Sequence, residues 1–178
     1  MAKYAEAIAR AVHRIFTQQK QAGIERAGNW MGRLREALYA PLLLGYKAAL
    51  KRFGSKDDEW AEATAMQQAA EAAVQINDAT TNMLEQGRDY REVFSADRAA
   101  LIGVDQWDKA YGACQVRAAQ NKGLRLQWEC DSKPCPVCIK LNGKVRSPGK
   151  AFAIIKGVAI YAPPTHPACK CRIKEVRV

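Results

Sequence analysis

Two short clusters of metal-ligating residues constrain the folding of this chain more than any other feature of its sequence. The first is Cys135-Pro136-Val137-Cys138, and the second is His166-Pro167-Ala168-Cys169-Lys170-Cys171. Two cysteines separated by two residues in a proline-framed turn can direct both thiolates to one ion, and the second cluster supplies further soft donors. The pattern predicts a structural metal site with zinc as the expected ion, and its candidate ligands are Cys135, Cys138, His166, Cys169 and Cys171.

These candidate donors exceed the four that a structural zinc ion takes. Cys169 and Cys171 are two residues apart, so an extended strand would direct both to the same face, which favours a four-cysteine site with His166 as a supporting group. A turn between His166 and Cys171 would instead bring the histidine to the ion and leave one thiol out. Disulfide bonding in an oxidising environment is a further alternative.

The other two cysteines are interpreted differently. Cys114 falls at core-like spacing on a predicted helix, which indicates a buried free thiol. Cys130 directly precedes the first cluster and is a sixth candidate donor, but it ends an alternating segment over residues 124–130 that is typical of a half-buried strand. That position favours simple packing.

Helical periodicity runs through the first two-thirds of the chain and predicts helices at about 4–21, 29–53, 59–86 and 95–120. Pro41 is expected to kink or break the second helix, and Gly103 to divide the fourth. The third helix is expected to pack through a narrow seam formed by Trp60, Ala63, Ala70, Val74 and Asn77.

The last third is rich in proline and glycine and has alternating segments at 124–130 and 171–178. The predicted fold class is therefore α+β. We expect a mainly helical body over residues 1–121, followed by a small zinc-stapled β and loop module over residues 122–178.

The positive charge of the chain is concentrated in that module. The net charge is +10, yet residues 1–121 carry 16 basic and 15 acidic side chains, while residues 122–178 carry 12 basic and three acidic ones. This asymmetry favours DNA or an acidic protein surface as the partner of the last third. A solvated basic face without a fixed partner is the alternative.

Several classes of protein are disfavoured by what the sequence lacks. It has no glycine-rich phosphate loop, no dinucleotide-binding glycine motif, and no nucleophile with a plausible histidine partner outside the metal cluster. The longest apolar run is far too short for a membrane span, and residues 1–6 lack the apolar stretch of a secretory signal. We expect a protein made in a reducing cytoplasm, without enzymatic activity, small-molecule substrate or membrane association.

The order of motifs in the last third resembles the C-terminal signature of the phage Mu F-like head-morphogenesis family, the minor capsid proteins of tailed phages. The resemblance covers roughly residues 107–173, and the helical front is similar only in being helical. Asn142 stands where that family commonly has Asp, and Lys170 where Arg is common, but neither change removes a donor. The segments that carry the resemblance are Trp128, Cys135-Pro136-Val137-Cys138, Leu141-Asn142-Gly143-Lys144 and Pro163-Pro164-Thr165-His166-Pro167-Ala168-Cys169-Lys170-Cys171.

The resemblance implies a structural minor head protein that acts in head assembly near the portal and resides in the virion. Its implied partners are the portal protein, the major capsid protein or both, with packaged DNA as a further candidate contact of the basic third. A zinc-module nucleic-acid-binding protein is the main alternative. A metal-dependent nuclease ranks third because carboxylates and histidines are scarce after residue 121.

Overall fold

The computed structural model describes residues 2–22, 30–131, 134–155, 157–166 and 169–177. The helices are α1 (Ala2–Ala22), α2 (Trp30–Arg52), α3 (Asp58–Glu85), α4 (Tyr90–Val93), α5 (Ala96–Lys122) and α6 (Pro136–Leu141). The strands are β1 (Arg125–Glu129), β2 (Val145–Arg146), β3 (Ala153–Ile155), β4 (Val158–Ile160) and β5 (Arg172–Val176). The predicted α+β class, mainly helical with a small C-terminal strand and loop region, is confirmed. Asn29 and Val178, at the ends of predicted elements, lie outside the described residues.

The chain divides into two compact units. The first comprises Met1–Tyr46 and Asp58–Trp107, and the second comprises Lys47–Asp57 and Asp108–Val178. The basic segment after residue 121 therefore lies in the second unit, while the division into domains at 1–121 and 122–178 stays a prediction. Within the described residues, no helix has both the length and the apolarity needed to cross a membrane.

Large apolar side chains hold the first unit together at the spacing that the sequence predicted. The α1 stripe is buried as expected and consists of Ile8, Ala11, Val12, Ile15 and Phe16. In α2, Leu34, Leu38 and Leu42 are fully buried. The helix continues through Pro41, so the predicted break is wrong. Because leucines on both sides of the proline are buried, their packing offsets the hydrogen bond that proline removes.

The buried face of α3 differs from the predicted seam. Ala63 and Val74 are exposed, and Trp60 and Asn77 are half-buried. The residues that α3 buries are Ala61, Ala65, Gln68, Ala69, Ala72, Ala73, Ile76 and Thr80. The prediction followed the largest side chains, whereas small alanine methyl groups let neighbouring helices approach closely and so define the packed face.

A polar cluster explains why α3 buries a glutamine. The Tyr46 hydroxyl donates a hydrogen bond to Gln68 Oε1, and Gln68 Nε2 donates to the backbone oxygen of Gln106 at 2.8 Å and to its side-chain oxygen at 3.0 Å. These residues come from α2, α3 and α5 within the first unit. The amide is thereby satisfied, which removes the main cost of burying it.

Gly103 has a different role from the helix break predicted for it. Helix α5 runs uninterrupted through this position. A Cβ atom at Gly103 would lie 2.4 Å from the backbone oxygen of Ala5 and 2.9 Å from the Cβ of Ala9. The glycine therefore allows α1 to approach α5 at backbone contact distance, and the packing gained offsets its poor helix propensity.

The second unit contains an antiparallel sheet with the strand order β2-β1-β5 and a separate antiparallel pair, β3 and β4. The predicted strands at 124–130 and 171–178 correspond to β1 and β5. Leu126 and Trp128 face inward from β1. The Trp128 ring packs edge-on against the Phe152 ring, with 5.3 Å between the ring centroids. The buried cluster of this unit consists of Ala119, Leu126, Trp128, Cys138, Leu141, Phe152, Cys169 and Ile173.

Candidate metal centre

The first pair of cysteines is presented by the start of α6. Cys135 is the N-cap residue, and its sulfur accepts a hydrogen bond from the backbone N–H of Cys138 at 3.4 Å. Pro136 occupies the first helical turn, where its missing N–H is not needed. This local structure holds both sulfurs on one side of the turn, as the spacing predicted.

Backbone hydrogen bonds attach this turn to β1. The carbonyl of Trp128 accepts from Gly143 at 2.9 Å, and the N–H of Trp128 donates to the carbonyl of Lys144 at 2.9 Å. Gly143 adopts a positive φ of 77°, which glycine tolerates without strain. The side-chain oxygen of Asn142 accepts from the backbone N–H of Cys130 at 3.0 Å. Asn142 thus acts as a hydrogen-bond acceptor that joins this turn to the end of β1.

The second cluster is positioned by the loop before it. A Cβ atom at Gly112 in α5 would lie 2.6 Å from the carbonyl oxygen of Pro163, so the helix backbone and the loop are in direct contact. Two residues further on, the Thr165 hydroxyl lies 3.3 Å from the Cys138 sulfur and 4.0 Å from the Cys169 sulfur. The backbone N–H of Cys169 donates a hydrogen bond to the carbonyl of His166 at 3.2 Å. Pro167 and Ala168, which separate these two residues in sequence, lie outside the described residues.

The structure brings all five predicted donors together in two overlapping groups. One group is Cys135, Cys138 and His166, and the other is Cys138, Cys169 and Cys171. Within each group the donor atoms lie no more than 4.8 Å from one another, and the sulfurs of Cys138 and Cys169 are 3.8 Å apart. Cys138 belongs to both groups, so it is the centre of the cluster. The arrangement can hold a metal ion.

The local environment divides the thiols by their pKa. Hydrogen bonding from the Cys138 backbone, with smaller help from the charge of His166, lowers the pKa of Cys135 to about 7. Burial would raise the pKa of Cys171, but hydrogen bonds from the Asp131 backbone and neighbouring thiols lower it. Burial raises the pKa of Cys138 well above its ordinary value. Cys135 and Cys171, at the edge of the cluster, are therefore the first of these thiols to become thiolates near neutral pH.

Cys130 lies beside this cluster and packs against the buried residues of the second unit, as the sequence interpretation expected. Its thiol donates a hydrogen bond to the backbone oxygen of Cys138 at 3.0 Å. Burial, reinforced by the neighbouring sulfur of Cys171, raises the pKa of Cys130 to about 11. The predicted buried thiol is found at Cys114, where burial raises the pKa to about 12. All six cysteines lie in described parts of the chain, and none of them forms a disulfide.

Comparison with known proteins does not identify the chain. No family model matches it, and neither a curated protein nor a solved structure shows significant similarity to it.

Proposed function

We propose that the C-terminal cysteines bind one structural zinc ion and that the chain serves as a non-enzymatic minor head protein of a tailed phage, near the portal of the virion. The observation that carries this proposal is the convergence of the two halves of the family-like signature. The Cys135–Cys138 turn and the His166–Cys171 segment meet at the Cys138 sulfur, although they are far apart in sequence.

The donor set suits zinc. A tetrahedral zinc site with Zn–S bonds of about 2.3 Å separates neighbouring sulfurs by about 3.8 Å. The Cys138 and Cys169 sulfurs have this separation of 3.8 Å. Thiolate sulfur with an imidazole nitrogen is also the ligand chemistry that zinc prefers over magnesium or calcium. The Thr165 hydroxyl can donate to either neighbouring thiolate and so help to keep it charged.

The surroundings of the cysteine cluster favour a structural role for the proposed ion over a catalytic one. Cys138 is fully buried and Cys169 is 8 % exposed, so the inner ligands are closed to a substrate. A catalytic zinc site keeps an open position and an acid or base nearby. Glu129, the carboxylate at the end of β1, forms ion pairs with Arg172 and Lys174. This pairing leaves that carboxylate poorly suited to act as a general base.

The basic surface supports an acidic or DNA partner. Several exposed cations of the last third form no ion pair with the described residues. They are Arg125, Lys140, Lys144, Lys150, Lys170 and Arg177. Such unpaired charges are available to phosphates or to acidic faces of portal and capsid proteins.

The first experiment measures metal in the purified full chain by elemental analysis. We expect about one zinc per chain, lost in the double variant Cys135→Ser/Cys138→Ser together with protease resistance of residues 122–178. Cys114→Ser is the matched control, because it removes a buried thiol of the same unit outside the cluster. Metal-free wild-type protein with a protease-resistant last third would overturn the zinc proposal.

The second experiment tests the assembly role. The chain is co-expressed with the portal and major capsid proteins of the same phage, and particles are separated by sedimentation. We expect it to co-sediment with head particles in the wild type and to remain at the top of the gradient in the double variant. Turnover of a nucleic acid or other substrate by the zinc-loaded chain would contradict the non-enzymatic proposal.

A direct nucleic-acid-binding role is the second candidate, and the unpaired cations are the observation that favours it. It predicts binding to random-sequence duplex DNA without any phage protein. The logarithm of the binding constant should then fall linearly with the logarithm of salt concentration, with a slope of about −0.9 for each neutralised phosphate. Binding that requires the portal or capsid protein would favour the first proposal.

A further inference from the structure

Cys130 and Cys171 are placed opposite each other by the register of the sheet. The antiparallel pairing of β1 with β5 sets Trp128 against Ile173 and Glu129 against Arg172. Continuing that register by one residue sets Cys130 against Cys171. Directly opposed residues of antiparallel strands have Cα atoms about 4.5–5.5 Å apart, which falls within the range of about 4.4–6.8 Å that a disulfide requires.

Both side chains also point to the same face. Cys130 is two residues from Trp128, and Cys171 is two residues from Ile173, so all four lie on the inner face of the sheet. Both side chains pack against the buried cluster that contains Trp128 and Ile173. The two thiols are therefore neighbours before any reaction.

Exposure distinguishes this pair from the other close thiols. Cys130 and Cys171 are half-buried, whereas Cys138 and Cys169, whose sulfurs are also close, are buried. A small oxidant in solution reaches the half-buried pair more readily. Cys135, the remaining half-buried thiol, is grouped with His166 and Cys138.

We propose that Cys130 and Cys171 are a site of oxidative modification, at which a peroxide converts the two thiols into a cross-strand disulfide. One thiolate attacks a peroxide oxygen, the O–O bond breaks, and water leaves after protonation, which gives a sulfenic acid. The other thiolate then attacks that sulfur, the S–S bond forms, the S–O bond breaks, and a second water leaves. In balance, two thiols and one hydrogen peroxide give one disulfide and two waters.

The reaction competes with metal binding. A sulfur of Cys171 that is bound to a metal ion cannot simultaneously form a disulfide, so the ion protects the pair and oxidation removes one donor from the cluster. If Cys171 is one of the four ligands, oxidation of the metal-loaded protein weakens metal binding in step with formation of the disulfide. This inference goes beyond the assembly role and does not depend on it.

The test treats the purified full chain with hydrogen peroxide, blocks the remaining thiols by alkylation, and maps disulfides by mass spectrometry. Trypsin together with a protease that cleaves before aspartate separates the relevant cysteines. Cleavage before Asp131 separates Cys130 from Cys135, and cleavage after Lys170 separates Cys169 from Cys171. Before alkylation we expect a product about 2 Da lighter than the reduced chain, and the peptide map should show the Cys130 and Cys171 peptides joined.

Two comparisons make the result specific. Cys130→Ser should lose the joined product, whereas Cys114→Ser should keep it. In strong denaturant the nearest cysteines in sequence should pair instead, because closing a short loop costs less entropy than closing a long one. A native product that joins Cys135 to Cys138, or Cys169 to Cys171, would overturn the proposal.

The outcome is independent of the proposed function. A chain that contains zinc and joins head particles but forms no Cys130–Cys171 disulfide would sink this inference alone. A chain that contains no zinc but forms the disulfide would sink the zinc site alone. If Cys130→Ser fails to fold, as seen by circular dichroism, peptide mapping of the wild-type protein still decides.

Discussion

The cores of the two units bury different kinds of side chain. The first unit has a core of large aliphatic and aromatic side chains, which includes Ile8, Phe16, Leu34, Leu38 and Leu42. The second unit combines fewer large apolar residues with three buried cysteines, Cys114, Cys138 and Cys169, of which the last two belong to the candidate metal cluster. A thiol contributes little apolar area but can bind a metal ion, so an ion bound as proposed would supply stability that the second unit lacks in apolar burial.

The difference shows where each unit is vulnerable. Apolar packing depends on shape and is disturbed by changes of volume or by unsatisfied polar groups. A metal-centred core depends on ligand chemistry and is disturbed by chelation, protonation or oxidation. Perturbations that affect one unit and spare the other therefore test this difference.

The largest effect is expected from removal of the metal. Structural zinc contributes about 10–16 kcal/mol to the folding of zinc-finger peptides, so chelation or Cys138→Ser should unfold most of the second unit. Hydrogen exchange followed by mass spectrometry should show lost protection in β1 and β5 and unchanged protection in α1 and α3. Simultaneous loss of protection in both units would contradict the comparison.

Acidification should weaken metal binding in the same unit. Because burial raises the pKa of Cys138, metal binding at neutral pH must displace its proton. The affinity should therefore rise with pH, by about tenfold per unit for each displaced proton, and fall on acidification. Competition with a chromophoric chelator between about pH 6 and pH 8 measures this slope. An affinity independent of pH would show that the ligands are already thiolates.

Gly103→Ala should destabilise the first unit by about 1–3 kcal/mol, because its Cβ would overlap the backbone oxygen of Ala5. Helix propensity alone predicts the opposite sign, a gain of about 1 kcal/mol. Urea unfolding, monitored by circular dichroism, shows whether the free energy of unfolding falls or rises and so distinguishes the two expectations. The control is Ala100→Gly at an exposed position of α5, where propensity alone should apply. Stabilisation by Gly103→Ala would disprove close contact between α1 and α5.

Gln68→Leu should cost the first unit about 1–3 kcal/mol, because it leaves the Tyr46 hydroxyl and the Gln106 side chain without their buried partner. The neighbouring change Gln67→Leu, at an exposed position, should alter the stability by less than about 0.5 kcal/mol. The unfolding midpoints of the two variants in urea provide the comparison. Equal midpoints would show that the polar cluster contributes nothing to stability.

Periodicity predicted the elements well where many residues contribute to one signal. The boundaries of α1, α2, α3 and β1 lie within a few residues of the predicted ones. The predicted buried face of α3 was wrong because alanine occupies many positions on all sides of this helix. The size and hydrophobicity of the side chains therefore do not distinguish the buried side from the exposed side. The prediction for Gly103 was wrong because the sequence pattern is the same in two cases: a glycine that breaks a helix and a glycine that lets a neighbouring helix pack closely.

The candidate site was predicted in part. The spacing of Cys135, Cys138, Cys169 and Cys171 is local, so sequence alone indicated that these thiols gather. Cys130 has no spacing motif, and its proximity follows from the pairing of β1 with β5, which joins residues far apart in sequence. The alternation of Trp128 and Cys130 was a usable signal, because it places both side chains on one face. The choice of which donors bind the ion stays a prediction.

The polar cluster at Gln68 has a consequence for the uniqueness of the helical arrangement. The buried face of α3 is lined with alanine over several turns, from Ala61 to Ala73. Such a uniform surface would fit its neighbours nearly as well after sliding by one turn. A slide of that kind would separate Gln68 from both Tyr46 and Gln106 and leave buried polar groups unpaired. The Gln68 amide therefore helps to fix the axial alignment of three helices, as a polar residue does in a coiled coil. The hydrogen bonds from Trp30 to Asn77 at 3.0 Å and from Arg98 to Thr80 at 2.9 Å act on the same helices.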